Sequence, residues 1–295
     1  MEIVRPGTNI DFVGKRKYAL FASLLLVVLS LALLLIQGPH YGIDFSGGTL
    51  IQVRFEEKVE ADRLRGVLGK VGLGDAILQP FGGAGEYLIK TKLTSGKLRG
   101  LRARIEEAFR EELGSGFEIR RVEMVGPKVG RDLRSKGIKA VIFALIGILI
   151  YISWRFEVRF ALGAVAALVH DVIITLGAFT ASGRELNLPV VAALLTIVGY
   201  SLNDTIVVYD RIRENMKKLG TALDAIINRS INETLNRTIL TSLTTLITVV
   251  VLFFLGGGII KDFAFALIVG IVVGTYSSIY IASPIVLFLE RAQRK

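Results

Sequence analysis

The chain contains no cysteine, and it has only two histidines, His40 and His170, among its 295 residues. Without cysteine there are no disulfides, no thiol catalysis and no metal sites built on thiolates. Two histidines are too few for a multi-histidine metal site. We therefore predict neither a bound metal nor another cofactor.

Long apolar blocks, separated by charged segments, account for much of the 52% hydrophobic content. A helix needs about 20 apolar residues to span a bilayer, whereas a soluble domain distributes its apolar residues in short periodic stripes. The sequence therefore predicts a polytopic α-helical membrane protein with six transmembrane helices. The predicted spans are residues 18–37, 138–154, 160–181, 188–209, 238–255 and 263–289.

Charge placement predicts the orientation of these spans. With the N-terminus inside, fifteen Lys and Arg fall in the inner segments, and only Arg184 and Lys261 fall in the two short outer loops. Basic residues accumulate in cytoplasmic loops, so both termini are predicted to be cytoplasmic. The basic residues of the inner segments thus account for the net charge of +10, and no nucleic-acid partner is predicted.

The first span is predicted to remain as an anchor rather than to be removed as a signal peptide. It is longer than a typical signal core, and residues 37–40 (QGPH) make a poor small-residue cleavage site. The predicted organisation is therefore a cytoplasmic N-terminus with the first span at 1–37, an extracytoplasmic domain at 38–137, and a five-helix bundle at 138–295.

The extracytoplasmic domain is predicted to be α+β. Apolar and polar residues alternate at 49–55, which is typical of a strand. Together with five further segments, this predicts the order β-α-β-β-α-β of a ferredoxin-like unit. The other segments are helices at 59–71 and 98–113, and strands at 76–81, 87–93 and 117–125.

Two glycine-bearing strings in this domain are predicted to be loops. Residues 82–85 (GGAG) are not followed by a helix, so a hairpin turn is favoured over a phosphate cradle. Residues 72–75 (GLGD) match a string of intramembrane aspartyl proteases, but they lie outside the membrane. The domain shows no catalytic constellation, and we predict that the chain is not an enzyme.

Ionisable residues inside the predicted spans are the candidate functional residues. Each costs about 2.5–3.5 kcal/mol on insertion scales, so such residues usually face the bundle and mark function. The third span carries His170-Asp171, the fourth carries Asn203-Asp204, and the fifth is predicted to begin at Arg237, followed by a run of Thr and Ser. Asp204 and Arg237 are expected to meet in the cytoplasmic half of the bundle.

Simpler explanations apply to some of these residues. Arg237 is also explained as a basic flank that extends its side chain to the membrane surface. The hydroxyl run is also explained by helix packing, and the pair His170-Asp171 by a structural role. Asp204 is the hardest to explain by packing. In the sixth span, Gly270, Gly274 and Ser278 form a small-residue face for close helix contact.

Four segments resemble a known family. Residues 41–48 (YGIDFSGG) are similar to the GIDFxGG signature of the SecD/SecF family, and 125–130 (VGPKVG) to its VGPxxG element. Residues 199–215 (GYSLNDTIVVYDRIREN) resemble the fourth-helix motif of the SecF branch, and 236–242 (NRTILTS) the start of its fifth helix. The resemblance covers nearly the whole chain, and the short domain with one set of six helices favours the SecF branch.

The resemblance implies a subunit of the Sec protein-export machinery in the bacterial inner membrane. It places the chain in the resistance–nodulation–division superfamily, whose members couple ion flow through membrane helices to movement of extracytoplasmic domains. The implied partners are SecD, the SecYEG translocon, an unfolded preprotein and membrane lipids, and the implied energy source is the proton-motive force. The motifs assign the intramembrane carboxylate to Asp204 and the intramembrane arginine to Arg237. Asn203 lies in the same motif, whereas Asp171 is a candidate by burial alone.

Two other functions stay open from the residues. A small-molecule exporter of the same superfamily would usually carry larger extracytoplasmic domains. An intramembrane aspartyl protease would need Asp171 and Asp204 to face each other and the 72–75 string to lie in a membrane helix. A carboxylate with neighbouring hydroxyls binds either H⁺ or Na⁺, so both ions are candidates.

The orientation is testable because the chain has no cysteine of its own. Ser182→Cys should react with a membrane-impermeant maleimide added outside intact cells, since it precedes an outer loop. Thr221→Cys should react only after permeabilisation, since it lies in an inner loop. The measurement is labelling of the purified protein, and reaction of Thr221→Cys in sealed cells would contradict the predicted orientation.

Overall fold

The computed structural model describes residues 8–81, 85–92, 100–114 and 116–293. Within these ranges the chain forms ten α-helices, one π-helical turn and four strands. The helices are α1 Arg16–Ile36, α2 Ile43–Ser46, α3 Ala61–Lys70, α4 Leu101–Leu113, α5 Pro127–Arg155, α6 Val158–Ala181, α7 Leu188–Lys218, α8 Leu223–Leu255, α9 Gly258–Ser277 and α10 Ser283–Gln293. The strands are β1 Gly48–Phe55, β2 Ile77–Pro80, β3 Glu86–Thr91 and β4 Phe117–Val125.

Six helical segments of the described chain are long and apolar enough to cross a membrane, which confirms the number of predicted spans. They are α1, α5, α6, α7, α8 and the continuous segment that includes α9 and α10. The buried share of their apolar windows is 67% for α6 but 11% for α1 and 6% for α5. The bundle is therefore centred on α6, α7 and α9, with α1 and α5 at its edge.

Three helices run beyond their predicted apolar blocks. The prediction that the fifth helix begins at Arg237 is wrong, because α8 begins at Leu223. Residues 223–237 have a polar exposed side and a buried apolar side, so their mean hydropathy is too low for a membrane block although their period is helical. Similarly, α5 begins at Pro127, a residue favoured in the first helical turn, and α7 continues to Lys218.

The α+β domain (residues 48–125) has the predicted ferredoxin-like order. Its sheet has the strand order β2-β3-β1-β4, and every neighbouring pair is antiparallel. Strands β1 and β2 both run opposite to β3, so they are parallel to each other, as a split βαβ unit requires. Helices α3 and α4 cover one face of this sheet. Its core contains Ile51, Val53, Ile89, Leu64, Leu68, Ile105 and Phe109.

Some predictions for this domain concern residues that the structure does not describe. Residues 82–84 of the predicted hairpin turn lie outside the described ranges, as do residue 93 of the third strand and residues 98–99 of the second helix. The 72–75 string is described, and it lies in the loop between α3 and β2, as predicted.

The segment that connects α1 to β1 attaches the α+β domain to the bundle. We call residues 42–48 the glycine segment. An added Cβ at Gly47 would lie 2.9 Å from the Pro127 Cα, and one at Gly130 would lie 2.9 Å from the Phe45 carbonyl oxygen. Glycines at these positions therefore allow the segment to pack directly on the start of α5.

The same segment contacts the start of α7. The Asp44 carboxylate accepts a hydrogen bond from the Leu188 N–H at 2.8 Å, and Gly42 N–H donates to the Leu186 carbonyl at 2.8 Å. The first N–H groups of a helix have no partner within the helix and favour a negative charge. Lys90 of β3 adds an ion pair to Glu185 at 2.7 Å. The α+β domain and the connection between α6 and α7 therefore lie at the same end of the bundle.

Helices α7 and α9 pack closely along matched positions spaced by four. An added Cβ at Gly270 would lie 2.3 Å from the Ile197 side chain, and one at Gly274 would lie 2.9 Å from the Ser201 Cβ. One turn further, Ser278 Oγ and Thr205 Oγ1 are 2.9 Å apart. The predicted small-residue face of the sixth span is thus the surface on which α7 lies.

A π-helical turn at Ser278–Ala282 divides the sixth span into α9 and α10. Such a turn has hydrogen bonds five residues apart and is frequently found at functional sites. Ser283 Oγ donates to the Ser278 carbonyl at 3.0 Å, which satisfies an acceptor at the widened turn. Beyond it, Glu290 at the end of the span pairs with Arg159 at 3.0 Å.

The contact between the glycine segment and α5 is testable with one methyl group. Gly130→Ala should lower the midpoint of thermal unfolding by the equivalent of about 1–3 kcal/mol, because the added Cβ meets main-chain atoms that cannot rotate away. Gly147→Ala on the same helix is the matched control, since a Cβ there meets nothing within 4 Å. The measurement is unfolding of both variants in the same detergent, and equal midpoints would contradict the described contact.

Candidate functional site

Asp171 of α6 is fully buried and is hydrogen-bonded to three neighbours. Ser201 Oγ of α7 and Ser277 Oγ of α9 both donate to Asp171 Oδ2, at 2.6 and 2.8 Å. The His170 Nδ1 lies 2.9 Å from Asp171 Oδ1. We call these four residues the Asp171 cluster. It joins three helices through one carboxylate.

Asp204 of α7 is also buried, with 2% of its surface exposed. Ser242 Oγ of α8 donates to Asp204 Oδ2 at 3.2 Å, and Ser242 Oγ lies 2.8 Å from Thr275 Oγ1 of α9. We call Asp204, Ser242 and Thr275 the Asp204 cluster. Among the described residues the Asp204 carboxylate has one hydrogen-bond donor, at a longer distance than the three hydrogen bonds of Asp171.

The two clusters lie at one level of the bundle, between two apolar regions. Along α7, Ile197 belongs to an apolar cluster on the side of the α+β domain, and Val208 belongs to another apolar cluster on the opposite side. Ser201, Asp204 and Thr205 lie between them and are all buried. The polar layer is therefore enclosed by apolar side chains above and below.

Arg237 and Asn203 are not buried in either cluster. Arg237 is on the exposed side of α8 and makes no direct ion pair with Asp204 among the described residues, although it is near enough to act on the Asp204 charge through space. Asn203 is exposed on α7. Asp204 therefore lies in the polar layer of the bundle, and Arg237 lies outside this layer on the exposed side of α8. Asn203 lies on an exposed side of α7, away from the buried side that carries Asp204.

The geometry differs from two kinds of proteolytic site. In a nucleophilic triad the imidazole lies between the hydroxyl and the carboxylate, whereas here Ser201 and Ser277 bond to Asp171 itself. In an aspartyl protease two carboxylates share one proton, whereas Asp171 and Asp204 belong to separate clusters. In the described part of the chain, no three His, Cys, Asp or Glu side chains are grouped to hold a metal ion.

The hydroxyl partners of Asp171 were not predicted from the sequence. Ser201 and Ser277 lie thirty and 106 residues from Asp171 along the chain. The sequence did contain one indication of these contacts. Ser201 is one turn before Asp204 on the same helical face, and Gly274 marks the close approach of α9. Ser242 was within the predicted hydroxyl run, but its contact with Asp204 was not predicted.

The fold and this site define a class, namely a polytopic membrane protein with an α+β domain outside the bundle and buried carboxylates within it. A family model described as "Protein export membrane protein SecD/SecF, C-terminal" matches residues 105–292, and one described as "SecD/SecF GG Motif" matches residues 32–59. The chain belongs to the SecD/SecF family.

Relatives over the full length support the same assignment. The chain is 51% identical to a protein of Magnetococcus marinus named protein translocase subunit SecF, over 100% of this chain and 96% of the relative. It is 40% identical to a protein of the same name from Escherichia coli O157:H7, over 95% of this chain and 87% of the relative. These names do not favour the alternative of a small-molecule exporter, and they describe transport components rather than enzymes.

Two solved structures share the fold. One is SecDF, described as a translocon-associated membrane protein from Thermus thermophilus, with a TM-score of 0.84 and 40% identity over 97% of this chain and 39% of that one. The other is SecDF in a super-membrane-facing form, with a TM-score of 0.74 and 41% identity over 100% of this chain and 40% of that one. The chain spans about two fifths of these longer SecDF chains.

The Asp171 cluster is testable by a double-mutant cycle. Ser201→Ala and Ser277→Ala should each destabilise the protein by about 0.6–1.7 kcal/mol, the range for interhelical hydrogen bonds in membranes. Their effects should not add, because both hydroxyls bond to one oxygen of Asp171. The measurement is the unfolding midpoint of the single and double variants in detergent.

The control for this cycle is Thr248→Ala, whose hydroxyl is exposed and bonds only to the Thr244 carbonyl of its own helix. It should change the midpoint little. Additive effects of Ser201→Ala and Ser277→Ala would show that the two hydroxyls do not share the Asp171 carboxylate.

Proposed function

We propose that the chain is a SecF-type subunit of the Sec protein-export machinery, in which Asp204 couples ion movement across the inner membrane to extracytoplasmic steps of translocation. The observation that carries this proposal is a carboxylate buried in the polar layer of a chain that belongs to the SecD/SecF family. A buried acid in a membrane bundle is costly and usually marks an ion pathway.

The surroundings of the two acids favour Asp204 over Asp171 as the ion carrier. Asp171 has hydrogen-bond partners on both oxygens, so a proton or a Na⁺ ion bound to either oxygen would disturb a contact that the carboxylate already makes. Within the described ranges Asp204 has a single hydrogen-bond donor, Ser242 at 3.2 Å, and no direct ion pair, and Arg237 is exposed. Fewer hydrogen bonds are therefore disturbed when Asp204 takes up a proton or a Na⁺ ion than when Asp171 does.

Helix α7 connects this acid to the α+β domain. Asp44 of the glycine segment accepts a hydrogen bond from Leu188 at the start of α7, and Asp204 lies sixteen residues further along the same helix. At 1.5 Å per residue, this is a distance of about 24 Å. We propose that a shift of α7 on ion binding moves the α+β domain through this contact. The ion pair Lys90–Glu185 strengthens the connection.

The length of the chain, compared with that of the SecDF chains, supports the proposal of a separate partner subunit. It spans about two fifths of the SecDF chains that it resembles, so a SecD-type subunit would supply the remainder of an equivalent assembly. We further propose that this assembly acts at a SecYEG channel on an unfolded preprotein. One charge that crosses 100 mV releases about 2.3 kcal/mol, enough to bias an equilibrium between two arrangements of the bundle.

The coupling role is testable in inverted membrane vesicles that export a secretory protein with and without an imposed proton gradient. Asp204→Asn should abolish the gradient-dependent part of export, because it preserves size and hydrogen bonding but removes ionisation. Arg237→Met should reduce this part more than Arg237→Lys, since lysine retains the charge. Co-purification of a SecD-type subunit should be unchanged.

The matched control is Asp210→Asn, the same substitution on the same helix at an exposed position that pairs with Arg155 at 3.4 Å. It should retain stimulation by the gradient. If Asp204→Asn vesicles respond to the gradient as the wild type does, Asp204 is not the coupling residue.

A further inference from the structure

His170 is a buried histidine that no part of the proposed coupling step uses. His170 is 7% exposed. The ring stacks on Tyr276 of α9 with centroids 6.4 Å apart and an interplanar angle of 23°. The other histidine of the chain, His40, is exposed.

The hydrogen bonds of Asp171 indicate which ring nitrogen carries a proton. Asp171 Oδ2 already accepts from two hydroxyls, so Oδ1 is the oxygen that faces His170 Nδ1 at 2.9 Å. With Asp171 ionised, its carboxylate only accepts, and Nδ1 is then the protonated nitrogen. In the neutral ring Nε2 then carries a lone pair, and this buried atom has no hydrogen-bond partner among the described residues.

The Tyr276 hydroxyl does not bond to Nε2. The Tyr276 hydroxyl is directed to α1, where it donates to the Ala19 carbonyl at 2.7 Å and accepts from Ser23 Oγ at 3.0 Å. Asp171 on α6 and Tyr276 on α9 are the titratable groups that contact His170 in the described chain. On α1, Ser23 and Ser30 are the buried residues, and neither is charged.

We propose that His170 is a second proton-binding site of the bundle. The proton adds to the lone pair of Nε2, Nδ1–H keeps its hydrogen bond to Asp171 Oδ1, and the Asp171 carboxylate becomes the counter-ion of the resulting imidazolium. One N–H bond forms at Nε2, and no bond between heavy atoms is made or broken.

The site is connected to Asp204 through shared helices. Ser201, which donates to Asp171, lies one turn before Asp204 on α7, and Ser277 lies two residues after Thr275 on α9. A change of charge at His170 changes the strength of the hydrogen bonds that Asp171 accepts from α7 and α9. Proton binding at His170 stands without the proposed function, whereas its contribution to export rests on that function.

The protonation state is testable because the chain has only two histidines. His40→Asn leaves His170 as the only histidine, and ring ¹⁵N labelling in proteoliposomes then reports each nitrogen by solid-state NMR. From about pH 8 to about pH 5, the spectrum should change from one protonated and one bare nitrogen to two protonated nitrogens. Asp171→Asn should retain the bare-nitrogen signal at the lower pH, because the counter-ion is lost.

Three results would overturn the proposal. They are a bare nitrogen that persists in the otherwise unchanged protein at the lower pH, protonation of Nε2 with Nδ1 bare at the higher pH, or loss of the second protonation in Asp204→Asn. The last would assign the proton response to Asp204 instead. If Asp204→Asn leaves both the His170 titration and export unchanged, the coupling proposal fails and the His170 site stands.

A second measurement addresses export. His170→Asn places an N–H near the position of Nδ1 but has no titratable group, so it should reduce gradient-stimulated export without loss of assembly. His40→Asn is the control and should export as the wild type does, since the imidazole of His40 is exposed. Full stimulation in His170→Asn would contradict a contribution of this site to export.

Discussion

The close approach of α7 and α9 is the constraint on which the polar layer depends. Glycine at 270 and 274 removes the side chains that would otherwise separate the two helices, and Ile197 and Ser201 occupy the freed space. Only at this separation do hydroxyls from both helices reach one carboxylate of α6. Packing of small residues, rather than the acids themselves, therefore determines where a charge is tolerated in this bundle.

The polar layer and the α+β domain are linked by backbone contacts as much as by side chains. Gly42, Leu186 and Leu188 contribute main-chain groups to the contact at the start of α7. Gly130 allows the glycine segment to lie directly on α5. Main-chain contacts of this kind depend on the exact path of the chain and leave little freedom for the two parts to move separately at this point. The proposed movement of the α+β domain with α7 depends on contacts of this kind.

The hydropathy of the chain predicted the number of spans, and the spacing of its apolar residues predicted the order of the α+β elements. Both properties depend on local sequence. The start of α8 was not predicted, since residues 223–237 form an amphipathic helix whose composition resembles that of a loop. Asp204 was proposed from its depth in the fourth span and from the family motif around it. Its partner Ser242 and the hydroxyls on Asp171 depend on how helices rotate about their axes, which no single segment encodes. The exposed position of Asn203 on α7 is likewise a property of helix rotation.

The π-helical turn at Ser278–Ala282 also changes how the sixth span relates to its own sequence. One extra residue in a turn advances the helical phase by about 100°. Small residues on α9 and large ones such as Val286 on α10 therefore do not follow one continuous stripe, although the span reads as a single apolar block. A one-residue insertion or deletion here would leave the hydropathy profile intact and yet rotate Glu290 away from Arg159. In this span, the length of the chain is as strictly determined as its composition.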